Sequence, residues 1–309
     1  MLLDEITTRS PLFAGVLQIV RRVSETDANV LLTGETGTGK DFVAELIHDA
    51  SKRRAQPFIK IDCASIPFSL AESEFFGYEK GAFSDASESK SGKLQLARGG
   101  TIYLDGINHL ATTVQSKLLR FVQERKVEPL GSSKAYSVDC RLIASCSDPL
   151  NTCLQQKQLR EDLYYRLAGV SIDLPPLRDR SQDIELLASM LLKEFNEKYR
   201  KKAHLSSETQ EFLRNYRWPG NIRELRNVLE HAVIHSDAKI TPLNLSLPQS
   251  VSQMENLSHF VDQMLSLEDV EKLYIAEVLR KVKGHQIKAA KILKMNRKTL
   301  MLKKRKYGL

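Results

Sequence analysis

Val30-Leu-Leu-Thr-Gly34-Glu-Thr-Gly37-Thr-Gly39-Lys40-Asp41 decides the fold. The apolar run from Val30 to Leu32 reads as a buried strand, and Phe42, Val43, Leu46 and Ile47 then recur at helical spacing. Strand, glycine-rich loop and helix in that order, with G-x-x-x-x-G-K across the turn, predict a phosphate cradle. Glycines let consecutive backbone N–H groups converge on one anion. The helix N-terminus adds partial positive charge, and Lys40 reaches the β- and γ-phosphates. The predicted contacts are Gly34, Glu35, Thr36, Gly37, Thr38, Gly39, Lys40 and Asp41. Asp41 stands where Ser or Thr usually touches magnesium; a carboxylate there serves the metal directly or through water.

The 309 residues suffice for two or three domains, and 42% hydrophobic with 27% charged residues is an ordinary globular balance. No apolar run approaches the roughly 20 residues that span a bilayer. Met1-Leu-Leu-Asp-Glu is acidic and lacks an export pattern, so a cytoplasmic protein with no membrane partner is expected. Cys63, Cys140, Cys146 and Cys153 show no metal spacing and fit reduced, buried thiols. Thirteen Lys/Arg against two Asp/Glu between residues 271 and 309 give that segment +11, leaving −3 of the overall +8 for the rest. A mildly acidic body with a basic tail points to nucleic-acid binding at the C-terminal end.

Residues 8–27 read as an amphipathic helix through Phe13, Val16, Leu17, Val20 and Val23. Further strands are predicted at 58–62, 101–105, 140–145 and 170–173, with helices at 69–76 and 114–124 between them. That alternation implies an α/β fold, a parallel sheet covered on both faces. Thr101-Ile-Tyr-Leu-Asp105 is an apolar strand ending in Asp, where such folds place a second magnesium-linked carboxylate, so Asp41 and Asp105 are the candidate metal ligands. After Leu174-Pro-Pro176 the pattern turns all-helical. Ser206 is predicted to cap one helix, and Asn221 another, with Glu224 as capping-box partner after the Trp218-Pro-Gly220 turn. The expected organisation is a nucleotide-binding subdomain 1–175, a helical lid 176–243, a polar linker 244–266 and a DNA-binding domain 267–309. Helices at 267–282, 286–293 and from 297, with a turn-sized Lys294-Met-Asn296, lay out a helix-turn-helix. Arg297, Lys298, Thr299, Lys303, Lys304 and Arg305 supply its DNA contacts, Arg297 and Thr299 near base edges and the lysines on phosphates.

Gly34-Glu-Thr-Gly-Thr-Gly-Lys-Asp41, Glu72-Ser-Glu-Phe-Phe-Gly-Tyr-Glu-Lys-Gly-Ala-Phe83, Arg160-Glu-Asp-Leu-Tyr-Tyr-Arg166-Leu, Leu174-Pro-Pro-Leu-Arg178 and Trp218-Pro-Gly-Asn-Ile-Arg223-Glu-Leu together resemble the AAA+ P-loop NTPases that activate sigma-54 RNA polymerase. The C-terminal stretch is similar to their Fis-type DNA-binding domain. The resemblance covers nearly the whole chain, makes an acidic residue after the lysine a family habit, and implies a short member without an N-terminal sensory domain, controlled by a regulatory protein in trans. It further implies a homo- or hetero-oligomeric ring, usually a hexamer, with ATP and Mg2+ at each subunit interface. Arg160 and Arg166 would reach the site from the neighbouring subunit, Arg223 would act as the lid's nucleotide sensor, and DNA upstream of the promoter and sigma-54 RNA polymerase would be the partners. Gly81-Ala82-Phe83-Ser84-Asp85-Ala86 matches the loop that engages the sigma factor.

Three departures touch the motor. The family's strand-end Asp-Glu is Asp105-Gly106, and glycine cannot do the general-base work of that glutamate. Asp85 replaces a loop glycine, adding a side chain and a charge. Cys146-Ser147 replaces the Thr-Asn of the first sensor. In the tail, Lys294 replaces a turn glycine and Lys304 an apolar residue. The two function classes that follow are an ATP-driven sigma-54 activator and a hydrolysis-deficient DNA-binding partner subunit in a mixed ring with an active paralogue.

Overall fold

The computed structural model describes residue 3 and residues 6–83, 86–236, 238–247, 266–281 and 285–307. The chain divides into two compact units, Met1–Ser246 and Leu247–Leu309. Ser84, Asp85 and most of the predicted linker lie outside the described residues.

In the first unit, strands β1 (Val30–Thr33), β2 (Phe58–Asp62), β3 (Thr101–Asp105), β4 (Arg141–Cys146) and β5 (Val170–Asp173) form one parallel sheet in the order β2-β3-β4-β1-β5. β4 is buried along its whole length, as a strand covered on both faces must be. Alternation splits the apolar side chains between the faces. Leu31, Ile102, Leu104, Leu142 and Ala144 enter one core; Val30, Leu32, Tyr103, Ile143 and Ile172 enter the other. The second face is covered by α1 (Pro11–Ser24) and α2 (Lys40–Asp49). The first is covered by α3 (Phe68–Phe76), α4 (Thr112–Glu124) and α5 (Glu161–Leu167).

α1 starts later than its periodicity predicts, because residues 8–10 are drawn elsewhere. Thr8 Oγ1 donates to Asp183 at 2.8 Å, and the Arg9 and Ser10 backbone N–H groups donate to the same carboxylate at 2.7 and 3.2 Å. Pro11, with its fixed φ, then opens the helix. β4 also begins one residue later than expected. Arg141 is 1% exposed and donates to Val23 O at 2.8 Å. The lid consists of α6 (Ile184–Tyr199), α7 (Ser207–Asn215) and α8 (Asn221–His235). Ser206 caps α7 by accepting from Thr209 N.

The second unit is three helices, α9 (Leu267–Lys281), α10 (Gln286–Ile292) and α11 (Arg297–Tyr307), around Ile275, Val278, Ala289, Leu300 and Tyr307. Lys294, between α10 and α11, has φ +50°, the left-handed conformation that favours glycine after a helix end. No described helix is long and apolar enough to cross a membrane.

Candidate functional site

An open cleft of about 400 Å3 lies at the carboxyl ends of β1 and β3, where parallel sheets place their ligands. One wall is the glycine loop: Thr36, Gly37, Gly39, Lys40 and Asp41. Gly39 caps α2 with no side-chain acceptor, so the first N–H groups of the helix stay available to an anion. Lys40 Nζ donates to Gly34 O at 2.7 Å and Glu35 O at 2.9 Å. Burial pushes its pKa down, against the opposing pull of Asp105 and Asp41. Gly37 has φ +82°, and a Cβ there would lie 2.3 Å from Gly220 O. That close approach lets Ile222 N donate to Gly37 O at 2.9 Å, seating the loop on the lid.

The lid clasps the loop from behind. Arg178 donates to both Glu35 carboxylate oxygens, at 2.9 and 2.6 Å, and holds that carboxyl below its ordinary range. Arg180 is buried, donates to Thr38 O at 2.9 Å and lies 4.5 Å over the Phe13 ring. Asn221 departs from its predicted capping role. The cap is Gly220, whose N–H donates to Glu224 Oε2 at 2.8 Å. Asn221 itself is fully buried at φ +53°; its Nδ2 donates to Glu35 Oε2 at 3.1 Å and Thr36 O at 3.0 Å, and its Oδ1 accepts from Leu177 N at 2.7 Å. A tertiary clasp takes the side chain that local pattern assigned to the helix end. Nothing in the local pattern marks these bonds, although Arg178 and Asn221 both fall within the motif stretches.

The acids of the cleft, Asp41 and Asp105, meet at one phenol. Tyr103 OH lies 3.0 Å from Asp41 Oδ1 and 3.3 Å from Asp105 Oδ1. Lys60 Nζ donates to Asp41 Oδ2 at 2.6 Å. Burial works against charge on Asp41, but the bonds from Lys60 and Tyr103 outweigh it and leave the carboxyl below its usual range. Ser145 Oγ donates to Asp105 Oδ1 at 2.6 Å and accepts from Gly106 N at 3.0 Å. Among the described residues no cluster of three or more His, Cys, Asp and Glu is placed to hold a metal. Two carboxylates sharing one phenol fit magnesium, which takes one or two carboxylates and completes its shell with water and phosphate. Asp62, Ser147, Gly106, His109 and, from α8, Arg223 and Arg226 complete the lining. Gly106 has φ +74°.

The remaining predicted residues lie elsewhere. Arg160 stands at the start of α5, paired with Asp162 at 2.8 Å and donating to Ser116 Oγ at 3.1 Å; Arg166 is exposed on the same helix. Neither lines the cleft. In the glycine loop at 81–86, Gly81 N donates to Ala86 O at 2.8 Å, and the Phe83 ring packs 4.9 Å from Tyr78 while remaining 44% exposed. In α11, Arg297, Lys298 and Arg305 are exposed and Lys304 is half-buried. Lys303 is paired with Glu271, and Thr299 serves the cap, its N–H and hydroxyl both donating to Asn296 Oδ1 at 2.7 and 2.8 Å. The free cationic surface of α11 is therefore narrower than the sequence pattern drew it.

Three known families match this chain: the Sigma-54 interaction domain over residues 6–173, the AAA+ ATPase lid domain over 178–263, and the bacterial regulatory protein, Fis family, over 266–307. The first covers more than half of the chain. The chain belongs to the sigma-54 interaction domain family. It is similar to the alginate biosynthesis transcriptional regulatory protein AlgB of Pseudomonas aeruginosa, 41% identical over 99% of this chain and 68% of that protein. It is 39% identical to the regulatory protein AtoC of Escherichia coli over 98% of this chain and 68% of that one. Among solved structures, NtrX from Brucella abortus in complex with ADP superposes with a TM-score of 0.73 at 29% identity, covering 99% of this chain and 69% of NtrX. NtrX in complex with ATP gives 0.72 at 30% identity, with the same coverage. This sigma-54 family chain accordingly combines an AAA+ fold and helical lid with a Fis-type helix-turn-helix region.

Proposed function

We propose that this chain is a ring-forming, ATP-binding regulator that holds DNA upstream of a promoter and acts on sigma-54 RNA polymerase. The observation that carries the reading is the cleft: a buried lysine in a glycine cradle faces two carboxylates that share one phenol. The likeness to NtrX in its ADP and ATP complexes supports the choice of nucleotide. The backbone of Gly34–Lys40 cradles the phosphates, and Lys40 exchanges its carbonyl partners for phosphate oxygens. Asp41 and Asp105 hold Mg2+, which when bound neutralises phosphate charge. Arg223 approaches from the lid. Arg160 and Arg166, absent from their own cleft lining, serve a neighbouring subunit's nucleotide, which makes the assembly a ring. Phe83 at the tip of its loop touches the sigma factor. Arg297, Lys298, Lys304 and Arg305 bind DNA, and such a protein works in the cytoplasm.

Titration of the whole chain with ATP and Mg2+ at ring-forming concentrations tests the reading. Saturable heat is expected, with an affinity reduced about tenfold or more in Lys40→Ala. No affinity for adenine nucleotides under any assembly condition sinks it.

Gly106 favours a second reading, in which the chain binds ATP without turning it over and works beside an active paralogue in a mixed ring. ATP turnover by the pure chain, alone and with a candidate paralogue, separates the two. Turnover only in the mixture selects the second.

A further inference from the structure

We propose that His109 stands in for the side chain that position 106 lacks, accepting the proton of the water that attacks the terminal phosphate of ATP. The proposal rests on the nucleotide reading above and assigns its hydrolysis to a residue of this chain. A Cβ built on Gly106 would lie 2.8 Å from His109 Cδ2 and 3.6 Å from Nε2. The imidazole thus occupies the volume that a side chain at 106 would enter. Its Nε2 sits about as far from that carbon as a glutamate's carboxylate oxygen sits from its own Cβ.

Local structure explains how the ring gets there. β3 ends at Asp105, and the single 3-10 turn Ile107–His109 folds back, with His109 N donating to Gly106 O at 3.0 Å. The turn is held by buried Ile107 and by Asn108, whose amide donates to Asp148 Oδ2 at 2.9 Å. His109 is exposed and lines the cleft, and no hydrogen bond to its ring is made among the described residues. A core histidine would be buried and paired; this one is neither. The charged groups facing the same space are Lys40, Asp41, Asp62, Asp105, Arg223 and Arg226.

In the step, the water oxygen bonds to the γ-phosphorus while the bond from that phosphorus to the β,γ-bridging oxygen breaks. The bridging oxygen keeps the electron pair and leaves as part of ADP. The water proton passes to the imidazole and from there to solvent. The proton acceptor is the ring nitrogen that carries no hydrogen.

The test compares the whole chain with His109→Ala under ring-forming conditions. Binding of the β,γ-imido analogue of ATP is measured by calorimetry, alongside steady-state ATP turnover. Expected is retained analogue binding with a loss of turnover on the order of 100-fold, the range of a general base. Added free imidazole restores part of the variant's rate. Independently of turnover, the NMR signal of the His109 ring moves when the analogue binds. The proposal is overturned if His109→Ala turns over ATP like the unaltered chain, if the unaltered chain binds the analogue but hydrolyses no ATP, or if the ring signal ignores the analogue. A chain that fails to bind the analogue overturns the nucleotide reading together with this one.

Discussion

The two compact units handle charge in opposite ways. In the first, the charged groups around the cleft are fixed by specific partners: Lys40 by loop carbonyls, Glu35 by Arg178 and Asn221, Asp41 by Lys60 and Tyr103. In the second, Arg297, Lys298 and Arg305 are exposed on a small three-helix body, and among the described residues of α11 Lys303 and Lys306 are tied down, to Glu271 and Glu268. Geometry carries the first unit, whereas the number of cations carries the second.

Removing residues 267–309 offers the sharpest contrast. Specific DNA affinity should fall by about 1,000-fold or more, to the non-specific level. Fluorescence anisotropy reads this directly, and unchanged operator affinity would strip the tail of its role. For the intact chain, log affinity should drop linearly with log salt, by about 0.9 per phosphate contact, and Arg305→Ala should reduce that slope by about one contact. In the first unit a single charge matters far more. Lys40→Ala should weaken ATP binding by roughly 1.5–3 kcal/mol, the worth of a charge-assisted hydrogen bond, and leave DNA binding by the tail untouched.

Next comes the clasp. Asn221→Ala leaves the Leu177 N–H and the Thr36 carbonyl without their partner and should cost the first unit about 2 kcal/mol in chemical denaturation. Asn221→Gly, which relieves the positive φ, should cost less than the alanine variant. An equal loss in both would assign the whole effect to the side-chain bonds. In the second unit, Lys294→Gly should stabilise by about 0.5–1 kcal/mol, since a left-handed lysine carries a strain that glycine avoids. The smallest effect belongs to Glu35. Arg178 lowers its pKa in the folded state, so its contribution is present above roughly pH 4.3, the unfolded value, and is lost as pH falls through the folded one. Both side chains are about two-fifths exposed, so the change should be slight and shrink further in salt.

The β1 loop was legible because glycine spacing, flanking strand and following helix all constrain the same few residues. The five strands and the three C-terminal helices followed from periodicity. What escaped is where tertiary structure recruits a side chain away from its local role. Asp183 withholds residues 8–10 from α1, Asn221 serves the loop instead of its own helix, and Glu271 takes Lys303 from the cationic face. Pairings only two residues long, such as Gly77–Tyr78 with Lys90–Ser91, carry too little pattern to be read in advance. His109 escaped for a different reason: the sequence shows the missing side chain at Gly106, but only the folded turn after β3 shows that the His109 ring takes its space.

The bare backbone at 106 also decides what any substitution there would meet. The imidazole sits comfortably because residue 106 carries no side chain and its backbone turns left-handed. A glutamate placed at 106 would meet an unfavourable backbone, and the exposed His109 ring would have to swing aside. The turn after β3 thus makes positions 106 and 109 share one space, so that a side chain added at the first is felt at the second.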